Sequence, residues 1–542
     1  MKKFLIYTVG ILGLIVVVVA LNFEKIMTKY VSYVMEKNIE SQITYQYDDE
    51  KITKLKNEIN MEPFRNELEK MDNSKFEKIE KLVANANIKD IQEMYDTKKL
   101  TCEELVTYYL KRIEKYDINK LNSIIELNPD AIKIAREKDS GDKTGKLYGI
   151  PITLKGNIGT GDKMHTTAGA YALKDSILDK DSFVAQKLRE EGAIILGKTN
   201  LSEWANYMSD SSSNGYSALG GQTHNAYGKY DVGGSSSGSA SSVASGFSVA
   251  SIGTETAGSM VYPSSQNSVV GIKPSIGVVS RDRIIPIVEA QDTAGIVARN
   301  VEDSALILES ISGYDKNDIE TKEGEKYKEN YSKNIEENSI NGVKVAVIKP
   351  SSPRKEENEI LDRVAKELEN MGAVVTKTAF SDKVNDIDMS KALEVGFKYD
   401  INKYLKIAKV QGINNLNDIV EFNKKDLDNR APYGQELLEK SLEDKTTIEE
   451  YEKLINNNRE KASKAIDDVL KNADVIVSLS NQISQVYAPA GYPALTVPAG
   501  YKSTGEPIGV TFVGSKFQEG KLIKIANVYE DNTKHRKEPN VK

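Results

Sequence analysis

At 542 residues the chain exceeds what one compact core commonly holds, so one large domain with accessories and several domains are both open. Hydrophobic residues at 39% and charged residues at 28% fit a globular protein, and a net charge of -7 argues against a dedicated nucleic-acid binder, which needs a basic surface. The single cysteine excludes an intramolecular disulfide and a thiol-rich metal site, and the three histidines, His165, His224 and His535, fall in no metal-ligand spacing.

The chain opens with Lys2 and Lys3, followed by an uncharged run from Phe4 to Leu21. At about 1.5 Å per residue this run reaches roughly 27 Å, enough to span the hydrocarbon core of a bilayer. Ala20-Leu21-Asn22 is a poor match to a cleavage site. Residues 1–23 are therefore expected to be an uncleaved transmembrane signal anchor, and the protein would be secreted if they were cleaved. Lys2 and Lys3 favour a cytoplasmic N-terminus and place the rest outside, against the opposing charges of Lys25 and Lys29. Residues 24–86 are rich in Lys and Glu with short apolar repeats, for example Phe76, Ile79, Leu82 and Val83. This pattern predicts a charged helical spacer with a solvated face.

From about Asn87 helix-like and strand-like segments alternate, which predicts an α/β domain with a largely buried sheet over 87–542. Thr101 and Glu104 bracket Cys102 as a capping box, so the cysteine reads as part of a helix start running on to Tyr116. Ile150 to Leu154 reads as a strand that ends at Lys155. Phe183 to Glu190 reads as a helix and Ala193 to Leu196 as a strand. Gly192 to Thr199 matches G-x-x-x-x-G-K-[ST], the phosphate-loop pattern. Its context is wrong, because Ala193-Ile194-Ile195-Leu196 occupies the positions that would have to turn. Asp315 to Asn341 is polar and reads as a surface excursion. Further strands are expected at Val343–Ile348 and Val475–Val477, and helices at Glu359–Met371 and Tyr451–Leu470.

Between these lies a run rich in serine and glycine, Asp231 to Ser259. Such composition often marks a linker. Here, however, Ala240, Val243, Ala244 and Phe247 form one helical face of small and apolar residues after Gly233-Gly234-Ser235-Ser236-Ser237. The serines then stand at a helix N-terminus, where they are either caps or part of a site for developing negative charge. Ser251 to Glu255 reads as a short strand leading into Thr256-Ala257-Gly258-Ser259. Small residues let backbone N–H groups approach a substrate oxygen closely, so a serine directly after such a turn is well placed as a nucleophile. With histidine scarce, the base is sought in lysine. Lys155 is the candidate, since burial at a strand end lowers a lysine's affinity for protons.

These stretches together resemble the amidase signature family. The likeness is carried by LYGIPITLKGNI (Leu147 to Ile158), GKTNLSEWA (Gly197 to Ala205), GGSSSGSA (Gly233 to Ala240), GTETAGSM (Gly253 to Met260), GIKPS (Gly271 to Ser275), AGYPALTVPAGY (Ala490 to Tyr501) and GVTFVG (Gly509 to Gly514). It spans roughly Asn87 to Pro539 and is most similar to the peptide-amidase-like branch. It implies a central mixed β-sheet flanked by helices, no metal and no organic cofactor. It further implies a Ser-Ser-Lys triad, with Lys155 as base, Ser235 as bridging serine and Ser259 as acylated nucleophile. The N–H groups of Thr256, Ala257, Gly258 and Ser259 match the oxyanion hole. The expected activity is hydrolysis of a carboxamide, with a peptide C-terminal amide as one candidate. An amidotransferase-like subunit supplying ammonia to a partner and a catalytically idle membrane-tethered binding module are the alternatives. Gly156, Ala257 and Val261 depart from the commoner aspartate, glycine and arginine of the family, which bears on substrate choice more than on activity. The expected partners are an amide substrate and, through residues 1–23, the membrane.

Overall fold

The computed structural model of the protein describes residues 55–349 and 354–541. The expected anchor at 1–23 and the first part of the expected spacer lie outside these residues, and no described helix is long and apolar enough to cross a membrane.

In chain order the described strands are β1 (Ile124–Leu127), β2 (Pro151–Lys155), β3 (Ile194–Thr199), β4 (Tyr216–Ser217), β5 (Gly221–Gln222), β6 (Ala250–Glu255), β7 (Val270–Lys273), β8 (Thr293–Ala298), β9 (Lys344–Ile348), β10 (Val374–Thr378), β11 (Val475–Leu479), β12 (Ala494–Tyr501) and β13 (Pro507–Val513). β4 and β5 make a small ribbon, and the other eleven form one sheet in the order β1-β3-β2-β6-β8-β7-β12-β13-β11-β9-β10. The sheet is mixed: β2 runs parallel to β3 and β6, whereas β6 pairs antiparallel with β8. Strands β2, β3, β6 and β8 are buried along their whole length, as a sheet covered on both faces requires.

The helices expected from sequence form where the apolar period and the caps coincide. Thr101 caps the helix Cys102–Tyr116, with Glu104 closing the box, and Phe183–Glu190 is capped by Ser182. The two later helices begin earlier than expected, at Lys355 and Ile448, the second because Thr447 and Glu450 form another capping box.

The expected spacer needs correction. The helices Arg65–Lys70 and Asn73–Val83 are not held off from the domain. Phe64, Leu68, Met71, Phe76, Ile79 and Val83 are buried in the same core as Leu105, Leu110 and Ile113 of the helix Cys102–Tyr116. Phe76 lies against Tyr108, with ring centroids 5.1 Å apart. Phe76, Ile79 and Val83 stand at i, i+3 and i+7, one stripe of a helix, so the many charges occupy the other faces. The folded domain therefore takes in residues from Met61, well before Asn87. The excursion at 315–341 is likewise tied down by short helical turns and by buried Tyr331 and Ile340.

The region 384–441 folds into helices, the longest Met389–Ala408, and packs in a second core with Trp204, Ala205, Tyr207, Ile285 and Ile287. Phe397 meets the Trp204 ring edge-on at 6.1 Å and the Tyr207 ring at 4.7 Å. This layer backs the loops around the candidate site.

Candidate active site

Strand pairing assembles the site. In the parallel pair β2 and β6, Leu154 lies opposite Ile252, so both strands end on the same side of the sheet. Lys155 at the end of β2 thus stands beside the turn that follows Glu255 at the end of β6.

Lys155 is fully buried. Its Nζ donates to Ser235 Oγ at 2.7 Å, to Thr254 Oγ1 at 2.9 Å and to the Thr254 carbonyl at 3.3 Å. Burial brings the amine down from the ordinary lysine value to about 7, while Asp292 and Glu255 pull the other way. That gap corresponds to roughly 5 kcal/mol against the ammonium form. A neutral amine has a lone pair, and at hydrogen-bond distance from Ser235 it can accept the hydroxyl proton.

Ser235 lies in the entry turn of the helix Ser237–Ala244. Gly233 takes a left-handed conformation, at φ +71°, and a Cβ at Gly234 would come within 2.5 Å of both Asn214 Oδ1 and Ser202 Oγ. Side chains at these positions would push the serines away from Lys155. The helix is buried throughout, and Ala240, Val243 and Ala244 pack with Met260 and Val297. It ends before Phe247, which is buried in the main core. Ser236 is a staple. Its Oγ donates to the Thr254 carbonyl at 2.9 Å, and its N–H donates to the Ser259 carbonyl at 3.1 Å. The serine-rich run is therefore packed structure and not slack chain.

The turn Thr256-Ala257-Gly258 presents Ser259, which is 8% exposed. Gly258 has φ +87°, and a Cβ there would sit 3.1 Å from Asn481 Nδ2. Among the described residues no backbone hydrogen bond engages the N–H groups of Ala257, Gly258 and Ser259. Buried N–H groups are nearly always paired, so a run without backbone partners is available to an incoming oxygen. Glu255 anchors the far end of the turn. Its Oε2 accepts the N–H groups of Met260 at 2.7 Å and Val261 at 3.1 Å.

The structure thus brings Lys155 onto Ser235, and the N–H of the next residue, Ser236, ties that run to Ser259 at the end of the turn Thr256-Ala257-Gly258. Other contributors escaped the sequence reading. The Thr254 hydroxyl accepts from Lys155 and, at 3.1 Å, from Asn157 Nδ2. Asn157 Oδ1 is buried with no partner. Asn157 sits two residues after Lys155, and that proximity was its available signal. Trp204, Ala205 and Asn206 all have positive φ, a strained run, and Ala205 lines a small cavity with Asn157, Thr254 and Thr256. Asn481 arrives from a distant part of the chain.

The competing readings find no support. Ile194–Thr199 is a buried strand, and Lys198 donates to the Ile158 carbonyl at 2.6 Å, so the phosphate-loop pattern forms no loop. Cys102 is buried and its thiol is pushed up to about 12, chiefly by burial, so it is no nucleophile. His165 is engaged by Glu126 at 2.8 Å and His535 by Glu367 at 3.0 Å.

The chain is similar to known amidases along most of its length. Residues 104–480 match the family model described as Amidase. A probable amidase of Arabidopsis thaliana is 37% identical over 481 residues, covering 84% of this chain and 92% of its own. A glutamyl-tRNA(Gln) amidotransferase chain of Thermotoga maritima is 30% identical, covering 81% of this chain and 96% of its own. Among solved structures, an amidase family protein from Bacillus anthracis superposes with a TM-score of 0.85 at 40% identity, over 89% of this chain and 97% of that one. Native peptide amidase from Stenotrophomonas maltophilia superposes with a TM-score of 0.80 at 34% identity, over 84% and 99%. The chain belongs to the amidase family and is an amide-hydrolysing enzyme.

Proposed function

We propose that the protein hydrolyses a carboxamide, with the C-terminal amide of a peptide as the leading substrate class, through an acyl-enzyme on Ser259. The observation that carries this reading is the buried Lys155 Nζ at 2.7 Å from Ser235 Oγ, beside a turn of N–H groups without backbone partners that ends at Ser259. Neutral Lys155 accepts the Ser235 proton as Ser235 takes the proton of Ser259. Ser259 Oγ attacks the amide carbon, and the tetrahedral oxyanion is held by the turn's N–H groups. The proton returns through Ser235 to the departing nitrogen, and ammonia or an amine leaves. Water then attacks the ester with the same relay acting as base, and the acid is released. Each oxyanion donor is worth about 3 kcal/mol of barrier.

The peptide amidase likeness supports the substrate class. The amidotransferase relative favours a second reading, in which ammonia passes to an acceptor. We also infer from sequence that residues 1–23 anchor the protein in the membrane with the enzyme domain outside the cell. Membrane fractionation with protease protection of intact cells tests this, and recovery in the soluble fraction would refute it.

The functional test measures ammonia released from simple carboxamides and C-terminally amidated peptides by wild type, Ser259→Ala and Lys155→Ala. Release by the wild type alone, without an acceptor, supports the hydrolase. Release that Ser259→Ala leaves intact would sink the assignment of the nucleophile, and turnover only with an acceptor would favour ammonia transfer.

A further inference from the structure

The turn that ends at Ser259 is held by carboxylates at both ends. Glu255 takes the N–H groups of Met260 and Val261, after the serine. Asp292 takes the start. β6 and β8 pair antiparallel up to Glu255 opposite Thr293, where the ladder stops. One residue further on, Thr256 and Asp292 meet, and the Thr256 hydroxyl donates to Asp292 Oδ1. The other oxygen, Asp292 Oδ2, accepts the N–H groups of Ile287 at 2.8 Å and Val288 at 3.0 Å. One buried carboxylate thus joins the sheet end, the oxyanion turn and the 281–291 loop.

We propose that Asp292 is a positioning residue: through the Thr256 hydroxyl it fixes the oxyanion turn, and through space its charge acts on the base Lys155. The proposal rests on the reading of Lys155 as base and Ser259 as nucleophile.

The second half starts from position: Asp292 lines one small cavity with Asn157 and Thr254, and the Thr254 hydroxyl accepts from the Lys155 amine. Asp292 is foremost among the groups that favour the charged form of Lys155, ahead of Glu255. Asp292 is itself raised to about 7 by burial, against the hydrogen bonds from Thr256, Ile287 and Val288. Arg281 favours its ionised form. From the helices packed over it, Asp400 and Tyr451 both feel its charge, and both feel that of Glu289 as well. Asp292 and Lys155 titrate in the same range, so the acid limb of activity belongs to the pair.

The two halves separate by substitution. Asp292→Asn keeps the joint: the amide oxygen accepts from Ile287 and Val288 while the NH2 donates to the Thr256 hydroxyl. It removes only the charge, so Lys155 should lose its proton more readily. Asp292→Ala and Thr256→Val break the joint. The experiment measures kcat and kcat/KM against pH on one amide, together with the rate of labelling by a fluorophosphonate and its mapped position. For Asp292→Asn the acid limb should move down by about half a pH unit or more, with the plateau kept within about threefold. For Asp292→Ala the plateau kcat should fall about tenfold or more with KM little changed, as expected for a loss felt in the transition state. Thr256→Val should reproduce this fall and carries that arm alone if Asp292→Ala does not fold. An acid limb unmoved in Asp292→Asn, with the plateau of Thr256→Val within about twofold of wild type, overturns the proposal. The label distinguishes the two levels. Label at Ser259 with unchanged profiles overturns the role of Asp292 alone, and label elsewhere overturns the assignment of the nucleophile as well.

Discussion

Lys155 carries a stability cost that can be measured without any substrate. The folded protein holds it at about 7, whereas an unfolded lysine keeps its proton to near the ordinary value of 10.5. Between these values the unfolded chain binds one more proton than the folded one. Stability must therefore rise with pH across that window, by about 1.4 kcal/mol per pH unit from this residue alone. Lys155→Met fills similar volume without the charge and loses that dependence. It also leaves Ser235 Oγ without the amine, at about 1–3 kcal/mol for a group left unsatisfied, while Thr254 Oγ1 keeps the bond from Asn157. The desolvation cost of roughly 5 kcal/mol at neutral pH exceeds that loss, so the inactive variant should be the more stable protein at pH 7, by about 2 kcal/mol or more. Urea unfolding of both proteins at pH 7, 8 and 9 makes the comparison. The variant's advantage should shrink by roughly 2 kcal/mol across the series, since the folded lysine is already half neutral at pH 7. Parallel stability curves, with the difference constant over the three pH values, would refute the claim that a buried neutral lysine sits at this site.

Other consequences are as direct. Phe64 is fully buried in the main core, so Phe64→Ala should cost about 3–5 kcal/mol, whereas a residue in a solvated spacer would cost almost nothing. Thermal unfolding of the two proteins decides between them. Gly258→Ala forces a side chain into a left-handed turn against Asn481, and the oxyanion donors should shift, lowering kcat by about tenfold or more. An unchanged kcat would show that the turn's geometry is not limiting. Lys198 should prove inert toward nucleotides: ATP with magnesium should leave the melting temperature of the protein where it was, and a clear rise would revive the phosphate-loop pattern.

What the sequence made legible was local. Lys155 could be found because it directly follows an apolar strand, and Ser259 because small residues crowd the turn before it. Ser235 is not separable from Ser236 and Ser237 by composition alone, and it takes the family likeness to single it out. The fold explains the difference: the middle serine staples the turn to β6, while Ser235 is the one within reach of Lys155. The spacer expectation fails because charges dominate the composition there, although the stripe of Phe76, Ile79 and Val83 is visible. That stripe says a helix has a partner without saying which, and the partner, Cys102–Tyr116, is a separate element. Asp292 and Asn481 are illegible for a stronger reason. They reach the site by way of strand order and a distant segment, and no spacing along the chain encodes either meeting.

The central claim is that Ser259, activated through Ser235 by Lys155, carries the acyl group. Rapid acid quench during turnover of an amide substrate, followed by mass mapping of the protein, tests it most directly. The account predicts an added acyl mass on the peptide containing Ser259, absent in Ser259→Ala and slow to form in Lys155→Ala. Acyl mass on another residue, or hydrolysis that persists in Ser259→Ala, would contradict it.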